Sequence, residues 1–384
     1  MDFMELVHAL SAIVASVVTG VLMALSPLFS LLGGSVVSTP PIHIDPLQDY
    51  ATTTARVPAA TTTQATSTLA TSTPPKTTAP KKPAVSLPQP TGPVVTTPAT
   101  PDIAADVLNT QTRGALVNIL CTTNTNLVHP ISASGVFIDS RGVILTNAHV
   151  GQFFLLADYP ETGSVNCLVR TGSPATAMYR ATLLYLPPVW INDNASQLIA
   201  EQAKGTGEND YAFLVVTSAL SGSLPATFPT LSMTSTEPDL GDSTFLAAYP
   251  AGFLDGQNIV KNLYVASAYA TVKELFTFGT ARSIDLISIG GTIVSQGGSS
   301  GGAVVRTKDG QLEGIIATDT AADTTAQRDL RAITLAHINR SLKANGEGGI
   351  AELLLQNTAT ASANFAKNVA PAEKATLVKV IEHR

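Results

Sequence analysis

The sequence predicts an all-β domain that begins near Ile103, and three observations support this fold class. Short apolar segments such as GVFID, GVILT, YAFLVV and GGAVV recur along the chain. Clusters of Gly, Pro, Asp, Asn and Ser separate them, as expected of short strands joined by turns. The segments GVFI and GVILT flank Asp139-Ser140-Arg141-Gly142, a hairpin loop in which Gly142 can adopt positive φ. Many short strands at this spacing predict a β-sandwich or β-barrels.

An almost wholly apolar segment lies at residues 6–32. Its only side chain that can carry charge is His8, and as a helix the segment would span about 40 Å, enough to cross a bilayer. A cleaved signal peptide has an apolar core of about 7 to 15 residues behind a basic start, whereas Asp2 and Glu5 stand here. The length also argues against a buried helix of a soluble domain. We predict a transmembrane anchor or signal anchor over residues 1–36, with an atypical signal peptide as the alternative.

Residues 37–103 are rich in Thr, Pro, Ala and Ser and contain almost no large apolar side chains. Proline removes backbone donors, and without bulky side chains the entropy cost of ordering stays uncompensated. We therefore predict a disordered stalk. Lys and Arg are too sparse near the apolar segment for the positive-inside rule to set its orientation. A stalk and a possible disulfide favour an extracytoplasmic location for the domain that follows.

Charge and cysteine content exclude several classes of partner and cofactor. The net charge is −6 and only 13% of residues are charged, so no basic field exists to bind nucleic acid. Cys121 and Cys167 are the only cysteines, too few for a four-ligand zinc site or a Cys-x-x-Cys redox pair. They can form one disulfide or remain two buried thiols. No cofactor and no metal site are predicted.

The segment Gly298-Ser299-Ser300-Gly301-Gly302 contains the candidate nucleophile. Cleavage of a peptide bond by a serine needs a base, an acid that orients the base, and amide donors for the oxyanion. Flanking glycines permit a tight turn that presents the Ser300 hydroxyl and directs the amides of Gly298 and Ser300 into one space. Taken alone, such a Gly/Ser segment is more often a flexible loop.

His149 and Asp210 are the candidate base and acid. Of six histidines, only His129, His149 and His337 lie within or beside the β domain. His149 ends a strand-like segment, where a side chain can emerge beside a cleft, whereas His129 and His337 are interpreted as surface residues. Asp210 precedes the apolar segment AFLVV, and taken alone it is a strand cap or turn residue.

The blocks TNAHV, NDYAFL and GGSSGGAV occur in this order and resemble the three active-site blocks of the chymotrypsin-like serine proteases. His149 and Asp210 are 61 residues apart, and Asp210 and Ser300 are 90 apart. The HtrA-like branch is the most similar, because there a hairpin of the GVFID and GVILTN type precedes the histidine block. The resemblance covers residues 104–335 and implies two antiparallel six-stranded β-barrels with the active site between them.

The resemblance also assigns roles to these residues. His149 would act first as base and then as acid, Asp210 would orient it, and Ser300 would be acylated. The amides of Gly298 and Ser300 would form the oxyanion hole. The strand Ile316-Ala317-Thr318 would pair with the substrate backbone.

Two positions depart from the trypsin pattern. Ser299 stands where trypsin-like enzymes carry an Asp that pairs with a newly cut N-terminus, so activation by that ion pair is not expected. Val294 lies six residues before Ser300, where specificity for Lys or Arg requires a carboxylate. We therefore expect a neutral pocket that prefers small or medium apolar side chains. The resemblance further implies that Cys121 and Cys167 lie on strands of one barrel, where a disulfide is plausible.

From about Leu335 the spacing of apolar residues becomes helical. Residues 336–384 are therefore predicted as a helical tail that packs on the barrel or binds a partner. No segment resembling the PDZ domain of HtrA-like enzymes follows, so their trimeric assembly is not carried over. The sequence thus predicts a trypsin-like serine protease domain at 104–335, acting on proteins or peptides as a membrane-anchored serine endopeptidase. The alternative is a latent or inactive protease-fold scaffold at the cell surface.

Overall fold

A computed structural model describes residues 103–200, 205–280, 282–318, 322 and 324–384 of the chain. The predicted anchor at 1–36 and all of the predicted stalk except Ile103 lie outside these residues. Within the described part, no helix is both long enough and apolar enough to cross a membrane.

The first six strands close into an antiparallel barrel, as predicted for the first half of the domain. They are β1 (Leu116–Thr123), β2 (Ile131–Asp139), β3 (Val143–Thr146), β4 (Val165–Thr171), β5 (Thr176–Tyr185) and β6 (Ala212–Ala219). Their order around the barrel is β1–β2–β3–β6–β5–β4. Because successive strand residues point to opposite faces, every second side chain can enter the core. Ile119, Phe137 and Leu214 lie in this core and are at most 1% exposed.

The turn between β2 and β3 is the hairpin predicted at residues 139–142. Gly142 has a φ of +87°, and its amide donates to the Asp139 carbonyl oxygen at 2.9 Å. A Cβ added to Gly142 would lie 2.8 Å from the Phe228 ring, so a larger residue would be strained in both backbone and packing. Arg141 pairs with the Asp139 carboxylate and donates to the Gln356 carbonyl oxygen at 3.0 Å. The hairpin therefore also contacts the C-terminal part of the chain.

The second half forms a seven-stranded, barrel-like sheet that is not closed, so the prediction of two six-stranded barrels is confirmed in part. The strands are β7 (Ser243–Ala248), β8 (Ala266–Thr271), β9 (Glu274–Phe276), β10 (Leu286–Ser288), β11 (Ala303–Arg306), β12 (Leu312–Thr318) and β13 (Arg331–Thr334). Their order is β8–β7–β11–β12–β13–β10–β9. All neighbouring pairs are antiparallel.

The sheet opens at Val272 and Lys273, which separate the two edge strands β8 and β9. One extended segment supplies both edges, since its first part pairs with β7 and its second part with β10. Between them, the Val272 amide donates to the Asp242 carbonyl oxygen at 3.0 Å, and the Lys273 amide donates to the Ser288 carbonyl oxygen at 2.8 Å. Because the segment changes partners at these two residues, one strand becomes two short ones and the ladder does not close.

Cys121 and Cys167 form a disulfide bond. They occupy directly paired positions on β1 and β4, which are neighbours in the closed barrel. The alternative of two unpaired thiols therefore does not hold for this structure.

Eight α-helices accompany the sheets in the described residues. They are α1 (Ala105–Ala115), α2 (Ala148–Leu155), α3 (Pro188–Asn194), α4 (Gly256–Lys261), α5 (Leu335–Ala344), α6 (Ile350–Leu355), α7 (Thr358–Asn368) and α8 (Ala370–Glu382). The Thr334 hydroxyl accepts the His337 amide at 3.0 Å and so caps the start of α5. The predicted helical tail is thus confirmed, while the domain boundary at residue 335 stays a prediction.

The tail helices α7 and α8 pack on the first barrel. Phe365 of α7 and Leu377 and Ile381 of α8 share one apolar cluster with Ile144 and Leu214 of the barrel. All three tail residues are at most 5% exposed. These two helices are therefore part of the folded core of the first half.

His337 is buried, so its interpretation as a surface residue is wrong. The residue is 8% exposed, and its Nδ1 atom lies 2.9 Å from an oxygen of the Asp285 carboxylate. The Phe278 ring packs edge-on against the imidazole with 4.9 Å between ring centroids. Burial lowers the pKa of His337 even though Asp285 opposes this effect, so the surroundings favour the neutral ring. This second His–Asp pair is part of the interior of the second half.

Candidate active site

His149 lies in the first turn of a helix that directly follows a strand of the first barrel. β3 ends at Thr146 and α2 begins at Ala148, so Asn147 occupies the N-cap position between them. The side-chain amide of Asn147 donates to the Asp210 carbonyl oxygen at 2.9 Å. This bond ties the segment before His149 to the segment that carries the candidate acid.

Asp210 holds His149 through both of its carboxylate oxygens. Oδ2 lies 2.8 Å from His149 Nδ1, and Oδ1 accepts the His149 backbone amide at 2.9 Å. The Asp210 side chain is only 7% exposed, whereas the imidazole is 35% exposed. Because a carboxylate accepts hydrogen bonds, this contact places the proton on Nδ1 and leaves Nε2 free to accept another.

The surroundings of His149 raise its pKa above the ordinary value of 6.5. Burial of the imidazole lowers the pKa, but the negative charge of Asp210 and its hydrogen bond together raise the pKa by more. The ring therefore takes up a proton more readily than an isolated imidazole. This property suits a general base that must accept a proton and later return it.

Helix α5 fixes the residue that precedes Asp210. Asn209 has a φ of +57°, which is uncommon for a residue other than glycine. The Ser341 hydroxyl of α5 donates to the Asn209 side-chain oxygen at 2.6 Å and accepts the Tyr211 hydroxyl at 2.9 Å. These contacts on both sides of Asp210 hold its backbone in place.

The loop that carries Ser300 requires glycine at two positions. Gly298 has a φ of +90° and Gly301 a φ of +82°. A Cβ added to Gly298 would lie 2.6 Å from the Tyr249 carbonyl oxygen, and one added to Gly301 would lie 2.1 Å from the Ser134 carbonyl oxygen. The glycines predicted to shape this turn are therefore needed for both conformation and close approach.

The amides of Gly298 and Ser300 are directed away from the bonds that hold the loop. The Gly297 carbonyl accepts the Ala251 amide at 2.7 Å, and the Ser299 carbonyl accepts the Gly302 amide at 2.8 Å. In a trans peptide the N–H points opposite to the preceding carbonyl. Among the described residues, neither the Gly298 nor the Ser300 amide donates a hydrogen bond. Both N–H groups are thus free to bind an anionic oxygen.

The backbone around Ser300 is joined to the strand that leads to His149. The Ser300 carbonyl accepts the Ser134 amide at 2.8 Å, and the Ser134 carbonyl accepts the Thr146 hydroxyl at 2.8 Å. Within the described part of the chain, the Ser300 hydroxyl itself makes no hydrogen bond to His149. Catalytic hydrogen bonds are often long in substrate-free proteins and shorten when substrate binds.

Two residues that contact the site were missed by the sequence analysis, Ser134 and Ser341. Ser134 follows Ala133 in the strand that contains GVFID, and nothing distinguishes it there from other small strand residues. Ser341 lies in a segment that was interpreted only as a helical tail. Their contacts depend on pairing across long stretches of sequence, which no local pattern reveals.

The predicted substrate-binding residues do not all lie beside the serine loop. Ile316 lies beside the serine loop, because its amide donates to the Gly302 carbonyl oxygen at 2.9 Å and its carbonyl accepts the Gly301 amide at 2.8 Å. Ala317 follows it and is 4% exposed, and Thr318 pairs with Arg331 of β13. The Val294 side chain is fully buried in an apolar cluster of the second half. A neutral pocket and substrate pairing along 316–318 stay predictions.

A known family matches the residues that carry this geometry. Residues 133–315 match the family described as "Trypsin-like peptidase domain". This part of the chain is similar to trypsin-like peptidase domains. His149, Asp210 and Ser300 all lie within the matched residues, whereas β1 and the tail helices lie outside them. In the described residues, no group of three or more His, Cys, Asp or Glu side chains could hold a metal ion.

Several solved proteases are similar to this chain at low identity. The Rv3671c protease of M. tuberculosis in its active form is 20% identical, with 66% of this chain and 92% of that chain covered and a TM-score of 0.39. Deg5 is 18% identical, with 61% and 90% covered and a TM-score of 0.40. The HtrA-type protease AlgW with a tripeptide is 17% identical, with 64% and 65% covered and a TM-score of 0.41. No curated protein sequence has a significant match.

Proposed function

We propose that the trypsin-like peptidase domain is a serine endopeptidase with Ser300 as nucleophile, His149 as general base and Asp210 as orienting acid. The observation that carries this proposal is the His149–Asp210 pair, with Nδ1 2.8 Å from the carboxylate, near a serine loop with two free amides. The arrangement supplies a base, its orienting acid and oxyanion donors to one serine.

In the first step, His149 Nε2 removes the proton from the Ser300 hydroxyl as Oγ attacks the carbonyl carbon of the substrate peptide bond. The carbonyl oxygen becomes an oxyanion, which accepts the amides of Gly298 and Ser300. Asp210 stabilises the imidazolium that forms. His149 then gives its proton to the leaving amine, and an acyl-enzyme ester on Ser300 remains.

In the second step, His149 removes a proton from water, and the resulting hydroxide attacks the ester carbonyl. The same two amides stabilise the second oxyanion. The proton on His149 passes to Ser300 Oγ as the ester bond breaks, which releases a carboxylic acid and restores the enzyme. The raised pKa of His149 fits both directions of proton transfer.

The substrate class we propose is protein or peptide chains with a small or medium apolar residue before the cleaved bond. Val294, at the position where trypsin-like specificity requires a carboxylate, is apolar and fully buried. The backbone of 316–318 would add the substrate as a further β-strand. A panel of peptides that differ only at that residue tests this, and preferred cleavage after Lys or Arg would contradict it.

Reaction with a fluorophosphonate tests the proposed function most directly. Wild-type protein should become labelled at Ser300, and Ser300→Ala should abolish labelling. Ser299→Ala is the matched control. Ser299 is adjacent to Ser300 but only 1% exposed, so removal of its hydroxyl should leave labelling intact. Absence of label at Ser300 in folded wild-type protein would defeat the proposal.

The alternative of a latent or inactive scaffold also has one observation in its favour. In the described residues, the Ser300 hydroxyl makes no hydrogen bond to His149, and in a latent enzyme this bond would form only when a peptide binds. Labelling rates measured with and without added peptides separate the cases. A latent enzyme becomes labelled only with peptide, and an inactive scaffold is labelled in neither condition.

We further propose that the domain is tethered to a membrane through residues 1–36 and lies outside the cytoplasm. The apolar length of that segment and the composition of 37–103 support this. The disulfide supports an oxidising compartment. Protease added to intact cells that express the full chain should release the domain from the membrane fraction. Recovery of an intact, protected chain would contradict the proposed side of the membrane.

A further inference from the structure

Ser134 is a fully buried polar residue in the middle of β2. It belongs to the first barrel, where it pairs with Asn118 of β1, yet its amide and hydroxyl contact the second half. The amide donates to the Ser300 carbonyl oxygen at 2.8 Å. The hydroxyl donates to the Gly298 carbonyl oxygen at 2.8 Å and accepts the Tyr249 amide at 2.9 Å.

These contacts use the hydroxyl as both donor and acceptor. A serine hydroxyl has one proton, which goes to Gly298, and its lone pairs receive the Tyr249 amide. Without the hydroxyl, one carbonyl and one amide would lose these partners in a buried place. The Ser134 hydroxyl therefore favours one conformation of the loop around Gly298 in addition to filling space in the core.

The arrangement concerns the two peptide planes that meet at Gly298. The plane before Gly298 is held by the Ala251 amide, which donates to the Gly297 carbonyl oxygen at 2.7 Å. The plane after Gly298 is held by the Ser134 hydroxyl at 2.8 Å. Glycine rotates easily about both of its backbone bonds. Rotation of the plane before Gly298 would turn the Gly298 amide away from the oxyanion, and rotation of the plane after it would displace the backbone that leads to the Ser300 amide. Holding both planes prevents this.

We propose that Ser134 is a positioning residue whose hydroxyl holds the oxyanion loop, residues 297–300, so that the amides of Gly298 and Ser300 face the developing oxyanion. The inference rests on the proposed function and deepens it. Ser134 itself does not touch the substrate. Its carbonyl also accepts the Thr146 hydroxyl at 2.8 Å, so one residue joins the oxyanion loop to the strand before His149.

The test compares four substitutions in the full chain. Ser134→Ala removes the hydroxyl. Ser134→Thr and Ser134→Val form a shape-matched pair that differs only in the hydroxyl, and this pair decides the question if Ser134→Ala does not fold. Ser132→Ala is the control on the same strand, since its hydroxyl accepts the Asn118 side-chain amide at 2.9 Å.

Four quantities are measured for each variant. They are kcat and KM on a chromogenic peptide ester that ends in alanine, the affinity for the matching peptide aldehyde, and the low-field proton resonance of His149 Nδ1–H. The aldehyde forms a tetrahedral adduct and so reports on the oxyanion hole. The resonance reports on the His149–Asp210 pair, which a specific change at Ser134 should leave in place.

Ser134→Ala and Ser134→Val should lower kcat about 10- to 100-fold, less than the roughly 100- to 1000-fold caused by removal of an oxyanion donor, because both amides remain present but are held less firmly. KM should change less than about twofold, and aldehyde affinity should fall with kcat, because only the tetrahedral state uses the hole. Ser134→Thr and Ser132→Ala should stay near wild type.

Equal kcat and equal aldehyde affinity for the threonine and valine variants would overturn the inference while the proposed function stands. Joint loss of kcat and of the His149 resonance would also overturn it, since that indicates general damage. A wild-type protein that neither hydrolyses the ester nor reacts with fluorophosphonate removes the proposed function, and the inference fails with it.

Discussion

At the scale of single residues, Asp210 contacts both the ring and the backbone amide of His149. One carboxylate oxygen lies 2.8 Å from Nδ1, and the other accepts the amide at 2.9 Å. The imidazole is therefore oriented relative to its own main chain. Because the same carboxylate raises the pKa of His149 against the effect of burial, orientation and basicity depend on one residue.

The dependence of activity on pH follows from this contact. The neutral imidazole is the base, so kcat/KM should fall as pH decreases through the pKa of His149, which lies above 6.5. Asp210→Asn removes the charge that raises this pKa while burial continues to lower it, so the acid limb should move to lower pH. The plateau of kcat/KM should drop about 10³- to 10⁴-fold, because the amide no longer enforces the correct tautomer.

The measurement is a pH–rate profile with a peptide ester for wild type and variant. Asp285→Asn is a matched control, since Asp285 contacts a different histidine, His337, at 2.9 Å. That control should leave the acid limb in place. An Asp210→Asn profile with an unmoved acid limb would contradict the assignment of His149 as the titrating base.

His149, Asp210 and Ser300 could be predicted because each lies in a short block whose neighbours are also informative. Ser134 and Ser341 could not, since their contacts join residues far apart in the chain. Ser134 and Gly298 are 164 positions apart, and Ser341 and Asn209 are 132 apart. His337 was misinterpreted for the same reason, because only the packing of α5 against the second half buries it.

At the scale of elements, helix α8 carries a buried acid against the first barrel. Glu373 is 3% exposed, and among the described residues neither of its carboxylate oxygens has a hydrogen-bond partner. Burial raises the pKa of Glu373 to about 8. When α8 is packed on the barrel, the protonated, neutral form of the Glu373 side chain is therefore favoured.

This raised pKa makes stability depend on pH. A carboxyl group whose pKa is higher in the folded than in the unfolded protein binds more protons when the protein is folded. Its contribution to the free energy of unfolding is therefore fully present below pH 4.5 and is lost as pH rises to about 8. Glu373→Gln removes the charge. It should raise the free energy of unfolding by about 4 kcal/mol at pH 8 and change it little at pH 4.5.

Urea unfolding at the two pH values measures this effect. Glu382→Gln, at an exposed position on the same helix, is the control and should show no comparable difference between pH 8 and pH 4.5. Equal stabilities of wild type and Glu373→Gln at pH 8 would show that the acid is solvated.

Helical spacing predicted the tail as helix, but it did not indicate the surface on which the tail packs. The opening of the second sheet was equally hidden. The segment across Val272 and Lys273 has the composition of one strand, and its division arises because the two parts pair with different neighbours. Strand pairing of this kind depends on tertiary contacts.

At the scale of the whole molecule, the Cys121–Cys167 bond fixes two neighbouring strands of the barrel that carries His149 and Asp210. The two cysteines are 46 positions apart. Joining residues this far apart restricts the unfolded chain, and loops of such length correspond to about 3 to 4 kcal/mol.

Replacement of both cysteines by alanine should lower the free energy of unfolding by about that amount. Urea unfolding of wild type and of the Cys121→Ala, Cys167→Ala double variant measures the loss. Reductant should destabilise the wild type and leave the double variant unaffected. Identical midpoints for the oxidised wild type and the double variant would show that the bond does not stabilise the fold.

The apolar cluster of the first barrel includes Phe365, Leu377 and Ile381. During synthesis, a ribosome that has translated all six strands of that barrel must still produce the entire second sheet before those side chains exist. The first barrel, which carries the base and the acid, therefore cannot complete its apolar core until the C-terminal helices have been synthesised.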